Sequence, residues 1–246
     1  DSLNNTNWVF STAFYYVGGW TAYSAELLVN ANFETALGAE WIKTGAGSGV
    51  LQRYATLGDI AGPQNGANFV AHATTTDNSS GCYQDVNLSA YAGEIAAGNA
   101  QIRASGYLQA SDHYYDDTRL RVIFYDSSSN AISASTYDSA WILSGPDTWT
   151  QYGVDNYPVP TNAVRARLWA QFSHPGLQAG AFDNASCKIR TKVVSDWDAS
   201  GNWSLTSGGA PGAGIPASTN DVIFDSNSGD CSLDANAICQ SISSVG

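Results

Sequence analysis

An all-β fold is what this 246-residue sequence predicts, and three observations carry the prediction. Almost no stretch holds apolar residues at helical spacing. Short runs of alternating apolar and polar residues recur instead, separated by clusters of Gly, Asn, Asp, Ser and Pro. Hydrophobic residues at 43%, with 12% aromatics, suffice for a packed core, while only 13% of the chain is charged.

Taken in order, residues 1–26 hold two aromatic runs, "WVFSTAFYY" and "WTAYSAE", that flank Gly18-Gly19 and signal a hairpin. Trp8, Phe10, Phe14, Tyr15, Tyr16 and Trp20 make an apolar surface too large for solvent, fit either for extra core or for an assembly contact. Residues 27–192 hold nine strand candidates, near 28–34, 41–44, 67–73, 82–88, 100–110, 119–126, 149–156, 163–172 and 181–191. Residues 193–246 change texture: a Gly/Pro/Ser-rich loop leads into short strands in "DVIFD" and "AICQSISSV", which sets a boundary near 192. Two such strands alone are marginal in water. They must dock on the middle region, on another subunit or on further sequence. The lack of methionine and the ending "SISSVG" are read as a piece of a longer polypeptide.

The net charge of −12 argues against nucleic acid and anionic membranes as partners. No apolar run approaches about 18 residues, so no membrane insertion is expected, and no signal peptide is recognised. The neutral polar composition points to an extracellular, cell-surface or virion-surface protein. Four cysteines permit two disulfides in three connectivities, and no C-x-x-C or Cys/His cluster suggests zinc.

Five segments of the middle region carry a resemblance. "LVNANFE" opens it and "EWIKTG" follows with Trp41. Then come "GPQNGANFVA" at 62–71, "CYQDVNLSA" at 82–90 and "AFDNASCKI" at 181–189. In that order and spacing they resemble carbohydrate-binding modules of the family 4, 9 and 22 type, which share a galactose-binding-like jelly roll. The resemblance covers residues 27–192 and departs from the family at Ala31, where Pro or Gly is frequent. It implies one structural calcium where the first and last strands meet. Glu34 and Asp183 would be its side-chain ligands, with loop carbonyls around Asn32 or Gly66 completing the shell. Calcium takes roughly six to eight hard oxygen ligands. It would also satisfy a carboxylate set directly after Phe33, which otherwise costs several kcal/mol beside a core. The residues alone leave two other roles open for Glu34: capping a turn, or pairing with Lys43 or Lys188.

The jelly roll implied by the resemblance distributes the strands over two sheets. One takes 28–34, 181–191, 82–88 and 149–156; the other takes 67–73, 163–172, 100–110 and 119–126. That topology puts Cys82 beside Cys187 and leaves Cys231 and Cys239 to close "CSLDANAIC". In the second sheet, period-two alternation turns Arg165, Arg167, Trp169 and Gln171 outward. It does the same for Gln101, Arg103, Ser105, Tyr107 and Gln109, and for Arg119, Arg121, Ile123 and Tyr125. Aromatic faces stack on pyranose CH surfaces, while Arg and Gln donate to hydroxyls or to a uronate carboxylate. The glycan-binding candidates are therefore Arg103, Tyr107, Arg121, Tyr125, Arg167 and Trp169. The same pattern also suits a solvated or protein-covered face, since cross-strand Arg–Asp pairs are common.

No catalytic constellation emerges, so no enzyme is expected. "SDHYYDD" at 111–117 gathers His113, Asp112, Asp116 and Asp117, which turn chemistry explains as well as a metal or acid/base site does. "STNDVIFDSNSGDCSLDANAICQSISSV" resembles segments of phage tail and fibre proteins and of secreted bacterial repeat proteins. Two functions follow: a non-catalytic glycan-binding, adhesive module of a larger protein, or a structural assembly protein that uses the jelly roll as scaffold.

Overall fold

The computed structural model describes residues 13–16, 20–45, 51–58, 60–72, 79–110, 117–142, 148–173, 180–192, 195–196, 203–205, 216, 220–224, 231–232 and 241–244. They fall into two compact units, Tyr23–Arg190 and a second made of Asp1–Ala22 with Thr191–Gly246.

The larger unit is an all-β jelly-roll sandwich of two five-stranded sheets. The first runs in the order β2 (Ile42–Thr44), β5 (Ser79–Asn87), β10 (Arg165–Ser173), β7 (Asp117–Tyr125) and β8 (Tyr137–Asp138). The second runs β3 (Leu51–Tyr54), β4 (Phe69–His72), β11 (Ala181–Thr191), β6 (Ala100–Gln109) and β9 (Thr150–Pro158). Neighbouring strands pair antiparallel.

Alternation builds the core between the sheets. Along β10, Ala166, Leu168, Ala170 and Phe172 are buried. Ile102, Ala104 and Leu108 answer from β6. Gly106 continues that inward row without a side chain because the Phe182 ring fills its place; a Cβ there would lie 2.2 Å from the ring. Phe182 in turn meets Phe33 and Trp41, with ring centroids 5.4 and 5.9 Å away. Burial of such side chains contributes roughly 1.5–3 kcal/mol each, which is why the inward pattern decides the fold.

Three expectations need correction. Residues 28–34 form turns rather than a strand. Asn30 and Phe33 take positive φ of 50° and 56°. The Asn30 side chain accepts from the Thr35 N–H and donates to the Thr35 carbonyl, so it supplies the local bonds that a ladder would have supplied. The buried Gln84 amide then pins the segment, accepting from the Val29 N–H and donating to its carbonyl at 2.7 and 2.9 Å.

The second correction concerns sheet membership. β5 lies between β2 and β10, and β11 lies between β4 and β6, so Cys82 and Cys187 come from opposite sheets. Both are free and buried rather than joined in the expected disulfide. Facing sheets stand about 10 Å apart, whereas a disulfide wants Cα atoms about 5.5–6 Å apart. Burial pushes the Cys82 thiol up to about 12 and raises that of Cys187 as well. Cys239 and the side chain of Cys231 lie outside the described residues.

Third, β1 (Ala13–Tyr16) does not pair with the 20–26 run. It sits between β13 (Trp203–Ser204), antiparallel to it, and β14 (Asp221–Phe224), parallel to it. β14 pairs in parallel with β16 (Ser241–Ser244), and β12 (Ser195–Asp196) with β15 (Cys231–Ser232). A strand has two edges, and both edges of β1 are occupied by strands from the other end of the chain. Gly18-Gly19 lie outside the described residues. No helix among the described residues is long and apolar enough to cross a membrane.

Candidate functional site

The outer face of the first sheet gathers four of the six glycan-binding candidates. Regular register sets them in lateral rows. Tyr83, Trp169 and Arg121 stand directly opposite one another across β5, β10 and β7, and Asp138 on β8 continues the row. The next rows are Asp85–Arg167–Ile123, in which Ile123 is buried rather than exposed as expected, and Asn87–Arg165–Tyr125.

Two carboxylates organise the guanidinium groups. Asp85 accepts a two-point fork from Arg167, at 2.7 and 2.9 Å, and also meets Arg165 at 3.2 Å. Asp138 is shared likewise, by Arg121 at 3.2 Å and Arg119 at 3.4 Å. Arg119 further donates to the Gln171 side chain. Each guanidinium lies over a ring: Arg167 over Tyr83 at 3.5 Å, Arg165 over Tyr125 at 4.4 Å, Arg121 over Trp169 at 5.8 Å and Arg119 over Trp141 at 4.3 Å. Such contacts contribute about 0.5–2 kcal/mol, more as water is excluded. Burial opposes the charge on Arg167, but the Asp85 fork and its charge outweigh it and hold the group more firmly protonated. For Arg119, burial wins; Asp138 offsets part of it while the neighbouring Arg121 charge adds to it, and its pKa falls below the usual arginine range.

Trp169 keeps its ring half-buried and edge-on to Tyr83, with centroids 6.2 Å apart. Its indole Nε1 is buried without a hydrogen-bond partner. Gly81 leaves the room for that edge, since a Cβ there would lie 3.0 Å from Nε1 and 2.4 Å from the Ala170 carbonyl oxygen. Tyr83 and Asp85 escaped the sequence reading. The alternation of "CYQDVN" turns both outward, but assigning that run to the other sheet removed them from the face.

Arg103 and Tyr107 stand on the other sheet, so the six candidates do not form one site. Arg103 makes a two-point fork to Asp155 on β9, at 2.9 and 2.8 Å. Tyr107 stands opposite Gln151. The outward set on β6 also loses Gln109, which is buried.

Two of the expected metal residues, Glu34 and Asp183, meet at one loop. Asp183 is fully buried, and its Oδ2 accepts from the Gln64 and Asn65 N–H groups at 2.9 and 3.0 Å. Glu34 Oε1 accepts from the Ala67 and Asn68 N–H groups, and Oε2 from the Asn68 side chain. Both carboxylates thus clasp the one loop, residues 64–68. Gly66, with φ of 75°, sits between them; a Cβ there would lie 2.2 Å from Glu34 Oε1. Burial raises the Asp183 pKa to about 6, against the pull of the loop N–H groups and with help from the Glu34 charge. The loop N–H groups instead lower that of Glu34. Asn32 is exposed. No cluster of three or more His, Cys, Asp or Glu side chains suited to a metal occurs among the described residues. The 111–116 part of the "SDHYYDD" run lies outside them.

No protein-family model matches the chain, and no curated protein matches it. Similar solved structures include TmCBM61 in complex with β-1,4-galactotriose, at 16% identity and a TM-score of 0.48, covering 67% of this chain and 98% of that one. The C-terminal family 22 carbohydrate-binding module of Clostridium thermocellum Xyn10B is similar at 14% identity and a TM-score of 0.47, covering 70% and 96%. The enzymatically active domain of bacteriophage CBA120 tailspike protein 4 is similar at 17% identity and a TM-score of 0.47, covering 66% of this chain and 21% of that one.

Proposed function

We propose that the chain is a non-catalytic glycan-binding module of a larger extracellular or virion protein, and that the lattice on β5, β10 and β7 is its binding face. The observation that carries this reading is the set of half-buried rings Tyr83, Tyr125 and Trp169 held beside fixed guanidinium groups. The rings offer stacking surfaces for pyranose CH groups, and the forked arginines offer pre-oriented donors. In the test, the chain is screened against neutral and uronate-containing polysaccharides in calcium buffer. Binding that Trp169→Ala weakens at least tenfold, in a protein that still melts cooperatively, supports the reading.

One observation favours a structural alternative: every arginine of the lattice already has a carboxylate or amide partner. A lattice so paired can serve as scaffold in an assembly. A folded protein silent on all glycans would select that reading.

We propose further that Glu34 and Asp183 hold a structural calcium ion, with loop carbonyls supplying further oxygens. The support is a pair of carboxylates clasping one loop, of which Asp183 is buried with its charged form disfavoured. The ion would neutralise that charge and tie the loop to β11. Without metal, Asp183 has a folded pKa above its unfolded one, so the folded state binds more protons between about pH 4 and pH 6. Stability therefore falls as pH rises through that window, by on the order of 3 kcal/mol. Calcium should abolish the fall, and chelation should lower the Tm at pH 7. An unchanged Tm after chelation would remove Glu34 and Asp183 from any metal site.

A further inference from the structure

The opposite face of the sandwich carries a feature that alternation alone does not produce. Along β6 the outward residues are Arg103, Ser105 and Tyr107; along β9 they are Gln151, Gly153 and Asp155. Register pairs Ser105 with Gly153 and Tyr107 with Gln151. Two minimal side chains therefore stand opposite each other between larger neighbours. The result is a notch of about 420 Å³, within the size range of small-molecule sites.

The backbone enforces this notch. Gly153 has φ of 155°, and a Cβ on it would lie 2.2 Å from the Ala104 carbonyl oxygen. Just beyond, Ile102 pairs with Tyr157 but Ala104 with Val154, so Arg103 alone faces Asp155 and Asn156. This is a β-bulge, with Asn156 at φ of 55°. Bulges re-aim side chains, and this one sets Asp155 into a fork with Arg103 at the end of the notch. Tyr23 buttresses the fork. Its hydroxyl donates to Asp155 at 2.8 Å, and its ring lies 4.3 Å from the Arg103 guanidinium. On this edge strand a bulge, a positive-φ Asn156 and a positive-φ Gly153 coincide, which marks a place where geometry was held against local preference.

Beside Tyr152, Gly153 and Val154, the polar lining is balanced in charge: one guanidinium, one carboxylate, the Ser105 hydroxyl and the Gln151 amide, which donates to Ser105 at 3.2 Å. Arg103 and Asp155 are about half exposed, at 46% and 51%, so both remain reachable. The Arg103 fork holds the Asp155 pKa down to about 2, which keeps it an acceptor at any ordinary pH. An anion would meet Asp155 and a cation would meet Arg103. A neutral ligand rich in hydroxyl groups can donate to the carboxylate and accept from the guanidinium and amide together.

We propose that the Ser105–Gly153 notch, on the face opposite the arginine lattice, is a carbohydrate subsite that takes a neutral pyranose residue. It does not depend on the arginine lattice binding sugar. The test is an amide-shift NMR titration of the whole chain, as wild type, Trp169→Ala and Ser105→Leu. Xylohexaose, cellohexaose and β-1,4-galactotriose serve as neutral probes, with oligogalacturonate as the acidic one. At least one neutral probe should shift residues 103–105 and 151–155, equally in Trp169→Ala, and at least tenfold more weakly in Ser105→Leu. Should Ser105→Leu fail to fold, Asp155→Asn takes its place with the same expected loss. Silence of those residues with every neutral probe, loss of their shifts in Trp169→Ala, or tighter binding of oligogalacturonate would each overturn the proposal. Shifts at residues 83, 121 and 167–169 report on the lattice separately.

Discussion

The two outer faces of the sandwich use the same chemistry in different geometries. Both set arginine against aspartate across neighbouring strands. On β5, β10 and β7 the register is unbroken over nine residue pairs on each side of β10, so the side chains form a continuous lattice. Its arginine side chains are sunk to 16–30% exposure. On β6 and β9 a bulge breaks the register, and one ion pair stands half exposed beside two minimal residues. Regular pleating makes a platform; a bulge with a glycine makes a discrete notch. Cross-strand neighbours, not single residues, decide what a face can contact.

Three substitutions would break or sharpen this contrast. The largest effect is expected for Asp85→Ala, which leaves Arg165 and Arg167 without their shared partner. Stranding half-buried charges should lower unfolding stability by about 1–3 kcal/mol, read from the urea midpoint at constant m. A change near zero would mean the lattice is solvated rather than coupled. Gly153→Ala should come next, at about 1–2 kcal/mol, because its Cβ meets the Ala104 carbonyl and its φ of 155° is one that residues with a side chain rarely adopt. A neutral result would show that the bulge relaxes freely and that the notch is not enforced. Arg103→Ala should cost least, under about 1 kcal/mol, since an exposed pair is screened by solvent. A loss as large as that of Asp85→Ala would erase the distinction between the faces.

Much of the sandwich could be read from residues alone. The alternation along 165–172 assigns every inward and outward position that the structure shows, because one buried face imposes period two on an antiparallel strand. The run 28–34 failed for a local reason: Leu27-Leu28-Val29 looks like a strand, yet the Asn30 side chain offers the backbone a turn instead. The lattice was half legible. Arg121, Tyr125, Arg167 and Trp169 were visible by alternation, whereas Tyr83, Asp85 and Asp138 join them only through lateral pairing. The terminal unit was least legible, since its strands are two to four residues long and pair with the far end of the chain.

By itself the sequence determined the all-β class, the inward rows of the core and the outward arginines and aromatics. Those follow from side-chain polarity repeating along a single strand. Which strands became neighbours was settled by the tertiary structure. That choice separated Cys82 from Cys187, brought Asp85 under two arginines and moved Arg103 to the opposite face. It also placed Gly153 opposite Ser105. Period-two patterning specifies the face on which a residue lies and carries no information about the strand beside it. Only the closure of one common core, with register and bulges adjusted to fill it, supplies that.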